Sequence, residues 1–248
     1  MSNRSDAPTA AVLLIGNELL SGRTQDSNLA YIAKRMVEKG IRVLEARVVT
    51  DDALVIESCV NELRSRYTYV FTTGGIGPTH DDITADCVAA AFGVDLPIHP
   101  EAEKLLLDYF NEREIEANSD RMRMARIPVG ASLVSNPVSI APGFQMDNVF
   151  VFAGVPRIMQ AMLDSVLPIL QDGAVMHSVT VICHAGEGSI ATPLRQVQEE
   201  FPAIDIGCYP GKMEGKSQLS FVARGTDEKK LEKVKVELER IASEALTA

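Results

Sequence analysis

Apolar stretches alternate with amphipathic segments through the first 92 residues of the chain. Strands are predicted where apolar residues dominate, at positions 11–15, 41–49 and 69–71. Between the strands, apolar side chains recur at helical spacing, as in residues 29–37, before Gly40 ends that helix. Strands and helices that alternate in this way predict right-handed crossovers, an α/β fold and a mostly parallel sheet.

The predicted helices begin near small polar residues, whose side chains accept hydrogen bonds from free backbone amides at the N-cap position. Thr24 or Asp26 is expected to cap the first helix, and Thr50 or Asp51 the second. A fourth strand is predicted at 149–152, and further helices are predicted at 83–92, 101–112, 119–126 and 156–167. Pro156 suits the first turn of its helix because that turn needs no amide donor.

A boundary between two domains is predicted at residues 170–173. Beyond it the pattern indicates strand, helix, strand, strand and helix, at 178–183, 190–200, 204–208, 218–223 and 227–246. The chain is therefore expected to contain a disordered N-terminus (1–9), a larger domain (10–170) and a small α+β domain of βαββα order (175–248).

The composition narrows the possible partners and the compartment. The 248 residues carry a formal charge of −10, which argues against non-specific binding to nucleic acid or to an anionic membrane. The four cysteines are scattered without a C-x-x-C pair, so we expect reduced, mostly buried thiols. The first residues are polar and no apolar run reaches membrane-spanning length, so the expected location is the cytoplasm.

A glycine loop, defined here as residues 74–82, lies between the third predicted strand and the helix that follows it. Ligands bind at such strand ends in open α/β sheets, and glycines let the backbone approach them closely. A Walker A loop is excluded because no Lys-Ser/Thr pair follows the last glycine. A dinucleotide fingerprint is only weakly matched, since His80 stands where its third glycine belongs. The loop is predicted to bind phosphate through backbone amides.

Asp81 and Asp82 change the chemistry expected of this loop. Two carboxylates beside a phosphate repel it unless a divalent cation lies between them. The alternative is that one of them only caps the helix that starts at Ile83. His80 is either a metal ligand or a loop histidine oriented by its neighbours, and the second interpretation is favoured.

A second polar cluster follows the first strand. If the first and third strands are neighbours, the two loops open on the same edge of the sheet. Glu18 is then a candidate metal ligand or ribose acceptor, and Arg23 a candidate phosphate partner, although both also suit a solvated surface. Three residues near the fourth strand could close the pocket, although turn formation is the favoured interpretation for them: Gly143, Gly154 and Pro156.

Two long motifs resemble a known family. Residues 15–28 and 73–84 resemble the signatures of the molybdopterin-binding (molybdenum-cofactor biosynthesis) domain family, and matching segments continue to residue 156. The Pro-Thr-x-Asp-Asp-x-Thr form is similar to the competence/damage-inducible protein A branch. Residues 186–190 and 206–210 resemble the small domain that follows in that branch and in FAD synthases. The resemblance implies a three-layer α/β/α domain, and the amidase activity of longer members is not expected because the chain lacks that domain.

The resemblance also implies two functions. Cofactor-synthesis members bind or adenylylate molybdopterin, whereas the competence-protein branch hydrolyses the pyrophosphate of ADP-ribose-like dinucleotides. Asp81 and Asp82 fit the second function, because paired acids suit metal-assisted attack on a pyrophosphate. The chain is therefore expected to be a pyrophosphatase that uses Mg²⁺, Mn²⁺ or Co²⁺, with potassium as an additional cation. The alternative is a non-catalytic molybdopterin- or nucleotide-binding protein, and in either case a homodimer is expected.

The site expected on these grounds has three parts. Asp81 and Asp82 are the candidate catalytic residues, and with Glu18 they are the candidate metal ligands. The candidate ligand-binding residues are Gly16, Glu18, Arg23, Asn28, Thr73, Gly74, Gly75, Gly77, Pro78, Thr79, Thr84 and Gly154.

Overall fold

A six-stranded sheet organises residues 7–173 in the computed structural model, which describes residues 7–213 and 216–247. Its strands are β1 (Thr9–Ile15), β2 (Arg42–Val49), β3 (Tyr69–Thr73), β4 (Ser132–Val134), β5 (Gly143–Met146) and β6 (Val149–Phe152). The order across the sheet is β2-β1-β3-β6-β5-β4. Strands β2, β1, β3 and β6 are parallel to one another, and β5 runs antiparallel to both of its neighbours, β6 and β4. The prediction of a mostly parallel sheet is confirmed.

Helices cover both faces of this sheet. They are α1 (Asn17–Leu20), α2 (Asn28–Glu38), α3 (Ala53–Arg66), α4 (Thr84–Phe92), α5 (Pro100–Glu112), α6 (Ser119–Met122) and α7 (Pro156–Val166). One face is packed by α2 and α7, and the other by α3, α4 and α5. These are the three layers of the expected α/β/α fold.

Strand β1 shows why its sequence is apolar throughout. Leu13 and Ile15 pack on the side of α3, whereas Val12 and Leu14 pack on the side of α2, and each is almost fully buried. Successive side chains of a strand point to opposite faces, so a central parallel strand covered on both sides needs apolar residues at every position.

Several local predictions are corrected by the structure. The N-cap of α3 is Asp52, not Thr50 or Asp51, and its carboxylate accepts a hydrogen bond from the amide of Val55 at 3.1 Å. At α2 the N-cap position is held by Ser27, without a side-chain cap bond. The Asp26 carboxylate reaches forward from the preceding residue to the amides of Asn28 and Leu29, both at 3.1 Å, while Thr24 takes no part.

Other corrections concern lengths and missing elements. The helix predicted at 119–126 ends at Met122 and continues as a 3₁₀ turn over Arg123–Ala125. Strands β4 and β5 were not predicted, because three or four residues are too few to show a period. Thr9 belongs to β1 although the disordered N-terminus was expected to extend over it, and residues 1–6 lie outside the described part of the chain.

Residues from Ala174 onward belong to a second compact unit. Its elements are β7 (His177–Cys183), α8 (Glu187–Glu200), β8 (Asp205–Met213), β9 (Lys216–Gly225) and α9 (Glu228–Thr247). Strand β9 pairs antiparallel with both β7 and β8, and the core of the unit includes Phe221 and Leu238. The βαββα order expected here is the order observed.

The cysteines are free thiols, and Cys59, Cys87 and Cys183 are buried. Burial raises the pKa of Cys87 to about 11. Within residues 7–213 and 216–247, no helix combines the length and the apolar character that crossing a bilayer requires.

Candidate functional site

The loops after β1 and β3 meet at one edge of the sheet because these two strands are neighbours. A side chain at Gly74 would lie 2.2 Å from the carbonyl oxygen of Ile15, and one at Gly154 would lie 3.2 Å from the Cα of Gly74. Gly74 also has a φ of +102°, in the region that favours glycine. The strand ends approach so closely only because glycines occupy these positions.

Thr84 fixes the base of the glycine loop. Its hydroxyl donates to the carbonyl oxygen of Gly74 at 2.9 Å, and its amide donates to the carbonyl oxygen of Gly75 at 2.9 Å. Thr84 is fully buried as the first residue of α4, and the N-cap residue Ile83 makes no side-chain cap bond. Neither aspartate therefore caps α4, so the structural alternative considered for them is not the arrangement observed.

The two aspartates are oriented by Thr79 instead. The Asp82 carboxylate accepts hydrogen bonds from the amide of Thr79 at 2.8 Å and from its hydroxyl at 2.5 Å. The pKa of Asp81 is lowered below its ordinary value, first by hydrogen bonding from the Thr79 side chain and then by hydrogen bonding from the backbone amide of Asp81 itself. The Thr79 hydroxyl has a single hydrogen, and in this structure it is donated to Asp82.

A cavity of about 360 Å³ opens beside these loops. That volume lies at the lower end of the range for small-molecule sites. Four carboxylates line it, those of Glu18, Asp51, Asp81 and Asp82. No lysine or arginine is found among the described residues that line it. Its other surfaces include glycine backbone and apolar side chains such as Ile76 and Met124.

The loop of residues 136–141 forms another wall of this cavity. Asn136 is 5% exposed, and its amide nitrogen donates to Ser139 Oγ and to the carbonyl oxygen of Ala141, both at 2.8 Å. Its side-chain oxygen accepts from the amides of Val138 and Ser139, both at 3.1 Å. These bonds hold Ile140 at a φ of +67°, which β-branched residues rarely adopt. The loop is fixed by its own side chain.

The candidate residues fall into three groups. Those that line the cavity are Gly16, Glu18, Gly74, Gly75, Gly77, Asp81, Asp82 and Gly154. Those that support its walls from buried positions are Thr73, Thr84 and Asn28, whose side-chain amide donates to the Gly154 carbonyl at 2.8 Å. Those that are exposed and do not line it are Arg23, Pro78 and Thr79.

The remaining predictions are resolved by position. The His80 side chain is 98% exposed, lies 4.0 Å from the Asp81 carboxylate and does not line the cavity. Gly143 and Pro156 do not line it either. Gly143 sits against the backbone of Val151 and Pro156 occupies the first turn of α7, which agrees with the structural roles favoured for both.

Three polar residues of the cavity were not predicted to be part of the site. Asp51 was assigned to a helix cap, but its carboxylate accepts from the amide of Asn17 at 2.9 Å beside the cavity. It follows β2, whose carboxyl end lies at the same edge as that of β1, so the rule applied to the other loops could have found it. Asn136 and Ser139 come from an irregular segment with no periodic signal.

The side chains that line the cavity are partly suited to binding a hard divalent cation. Carboxylate oxygens are the ligands that Mg²⁺ and Mn²⁺ prefer, and this cavity offers four carboxylates. However, the described residues include no group of three or more His, Cys, Asp or Glu side chains placed to hold a metal ion. A cation here must complete its coordination with phosphate oxygens and water, which is how Mg²⁺ is usually bound with nucleotides.

Comparison with protein families matches the chain in two successive segments. Residues 11–172 match the family described as "Probable molybdopterin binding domain", and residues 175–247 match the family described as "FAD synthase, middle domain". A protein of Aeropyrum pernix is 34% identical over 212 residues, covering 82% of this chain and 79% of that protein. A protein of Archaeoglobus fulgidus is 31% identical over 234 residues, covering 94% of this chain and 97% of that protein.

A solved structure is also similar to part of this chain. The protein CinA of Thermoplasma acidophilum, described as having unknown function, is 32% identical and superposes with a TM-score of 0.61. The match covers 66% of this chain and 98% of that protein. The relationship therefore extends over that whole protein.

Proposed function

The chain belongs to the molybdopterin-binding domain family and is similar to CinA, and from that premise we propose that it is a metal-dependent pyrophosphatase acting on ADP-ribose or a related dinucleotide. The observation that carries this proposal is the charge of the cavity, where four carboxylates and backbone amides face one space without a lysine or arginine among the described lining residues. A cation that offsets the carboxylates would favour the entry of a phosphate ligand into such a space.

Each part of the site has a role in this proposal. The backbone of the glycine loop supplies amide donors for one phosphate. Asp81 and Asp82 would hold a divalent cation, with Glu18 as a further ligand. Such a cation would screen the phosphate charges and would make water a better nucleophile at neutral pH. One water is consumed as a phosphorus–oxygen bond of the anhydride breaks, which yields AMP and ribose 5-phosphate from ADP-ribose.

The test is AMP release from ADP-ribose and from FAD, measured with Mg²⁺, Mn²⁺ or Co²⁺, with and without potassium. We expect Asp82→Asn to lose activity by about a hundred-fold or more, because a catalytic carboxylate is removed while the loop retains its backbone bonds. Asp108→Asn is the matched control, since Asp108 is an exposed carboxylate on α5 outside the cavity. Wild-type turnover no higher than that of Asp82→Asn would rule the proposal out.

One observation favours a second function, a binding protein for a molybdopterin or nucleotide without chemistry of its own. The Asp82 carboxylate is already held by two bonds from Thr79, and the described residues hold no preassembled metal cluster. Calorimetry with AMP in the presence of EDTA separates the two functions. Tight binding without metal, together with no hydrolysis in its presence, supports the binding protein. Gel filtration of the same preparation tests the proposed homodimer.

A further inference from the structure

Ser139 lies in the loop of residues 136–141 and lines the cavity, yet the family resemblance assigned it no role. Its position is fixed from two directions. The Asn136 side chain accepts the backbone amide of Ser139 at 3.1 Å and donates to Ser139 Oγ at 2.8 Å. Asn136 is itself 5% exposed and uses both of its polar atoms in this loop. The serine hydroxyl is therefore held by a buried amide.

The direction of the Asn136–Ser139 bond determines what the hydroxyl can do next. A serine hydroxyl has one hydrogen to donate and two lone pairs that accept. The amide of Asn136 is the donor in this bond, so Ser139 Oγ is the acceptor and keeps its own hydrogen. Among the described residues, no acceptor receives that hydrogen. Ser139 thus presents a positioned donor at the cavity wall.

Donors are scarce in this cavity. The ionised carboxylates that line it are acceptors only, and the remaining side chains, apart from Asn136, are apolar or absent at glycine. Asn136 has both of its amide hydrogens committed to Ser139 and Ala141. Ser139 is the side-chain donor that is still free among the described residues that line the cavity.

We infer that Ser139 is a positioning residue for a phosphate group of the bound ligand, donating its hydroxyl hydrogen to a phosphate oxygen. The inference rests on the proposed function for the identity of the ligand class. A phosphate needs this donor more than a neutral ribose or base does, because its charge is not met by any described lysine or arginine of the cavity. The strained Ile140 beside Ser139 agrees with a loop held in one conformation for binding.

The experiment measures the Kd of AMP with Mg²⁺ by calorimetry, on the full chain. Ser139→Ala removes the donor, Ser139→Thr keeps it, and Ser189→Ala is the control because the Ser189 hydroxyl bonds to Gly186 in the second unit. We expect Ser139→Ala to weaken AMP binding by about ten-fold or more, the usual loss for a hydrogen bond to a charged group. Ser139→Thr and Ser189→Ala should stay within about three-fold of the wild type.

Adenosine, which lacks the phosphate, is tested as a competitor against AMP with each protein. Its apparent affinity should not change in Ser139→Ala. An equal loss for AMP and adenosine, or no loss for AMP, overturns the inference, and so does a wild type that binds no AMP. Because circular dichroism reports whether each variant folds, an unfolded Ser139→Ala protein is replaced by Ser139→Cys, a weaker donor of similar size.

These experiments distinguish a failure of the Ser139 inference from a failure of the proposed function. If ADP-ribose is hydrolysed and Ser139→Ala behaves as the wild type, the inference fails and the pyrophosphatase stands. If AMP binding weakens in Ser139→Ala although neither the wild type nor any variant hydrolyses ADP-ribose, the serine has its role in a binding protein and the proposed pyrophosphatase function is wrong.

Discussion

The hydrogen bond from Thr84 to Gly74 is expected to hold the glycine loop in place, and a single substitution tests this. Thr84→Val keeps the branched shape of the side chain and removes the hydroxyl. The Gly74 carbonyl then loses its donor at 2.9 Å, in a position where both residues are buried. Water has no access to replace the bond.

The magnitude follows from that burial. Leaving a buried carbonyl without its partner costs about 1–3 kcal/mol of unfolding free energy. For a unit of this size each kcal/mol lowers the Tm by about 2–4 °C, so the expected loss is roughly 2–12 °C. Valine and threonine have similar helix propensities, so the start of α4 contributes little to the difference.

Thr72→Val is the matched control. Thr72 is also fully buried, on β3, but its hydroxyl has no hydrogen-bond partner. Removing an unpaired buried hydroxyl is expected to be neutral or stabilising, and valine suits a strand. The two substitutions are chemically identical, but only Thr84→Val should lower stability.

Urea denaturation of the full chain, followed by circular dichroism, gives the midpoint and the slope for each protein. A lower midpoint for Thr84→Val with an unchanged slope supports the role of the bond. If both valine variants shift the midpoint by the same amount and in the same direction, the hydrogen bond to Gly74 does not stabilise the loop and the reasoning is wrong.

Two further predictions concern backbone strain and acid stability. Gly75→Ala should destabilise the protein more than Gly93→Ala. Both glycines have similar positive φ values, but an added Cβ at Gly75 would lie 2.2 Å from Thr84 Oγ1, whereas open space surrounds Gly93. Equal urea midpoints for the two variants would contradict this prediction. The hydrogen bond from Arg47 lowers the pKa of Glu62 from 4.5 to about 2, so its contribution to stability is complete above pH 4.5 and is lost as the pH falls toward 2. Glu62→Gln should therefore show a smaller fall in urea midpoint between pH 6 and pH 3, and an unchanged fall would argue against the ion pair.

The central βαβ order could be predicted because its physical signal is strong. Strand β1 is apolar at every position since helices cover both of its faces, and Gly40 ends α2 with a positive φ. Short strands do not give such a signal. Strand β5 has four residues, and its connection to β6 depends on Asp147 at a φ of +52°, which composition does not reveal.

The candidate site divides in the same way. The glycine loop and its aspartates are contiguous, so their chemistry is visible in one motif. Ser139 and Asn136 reach the cavity from a segment about 60 residues away, through a loop whose shape is set by side-chain hydrogen bonds. Arg23 shows the reverse case, because it lies in a polar cluster of the sequence yet is exposed and does not line the cavity.

The charge balance of the cavity decides how a phosphate can be held there. Four carboxylates line this space, and each of them repels a phosphate. The amides at a helix start stabilise an anion by only about 0.3–1 kcal/mol at an exposed site. One hydroxyl from Ser139 adds about 1.5–3 kcal/mol. Because neither of these donors carries a full positive charge, the proposed function expects the loop and the serine to orient a phosphate whose charge is met by a cation on the carboxylates.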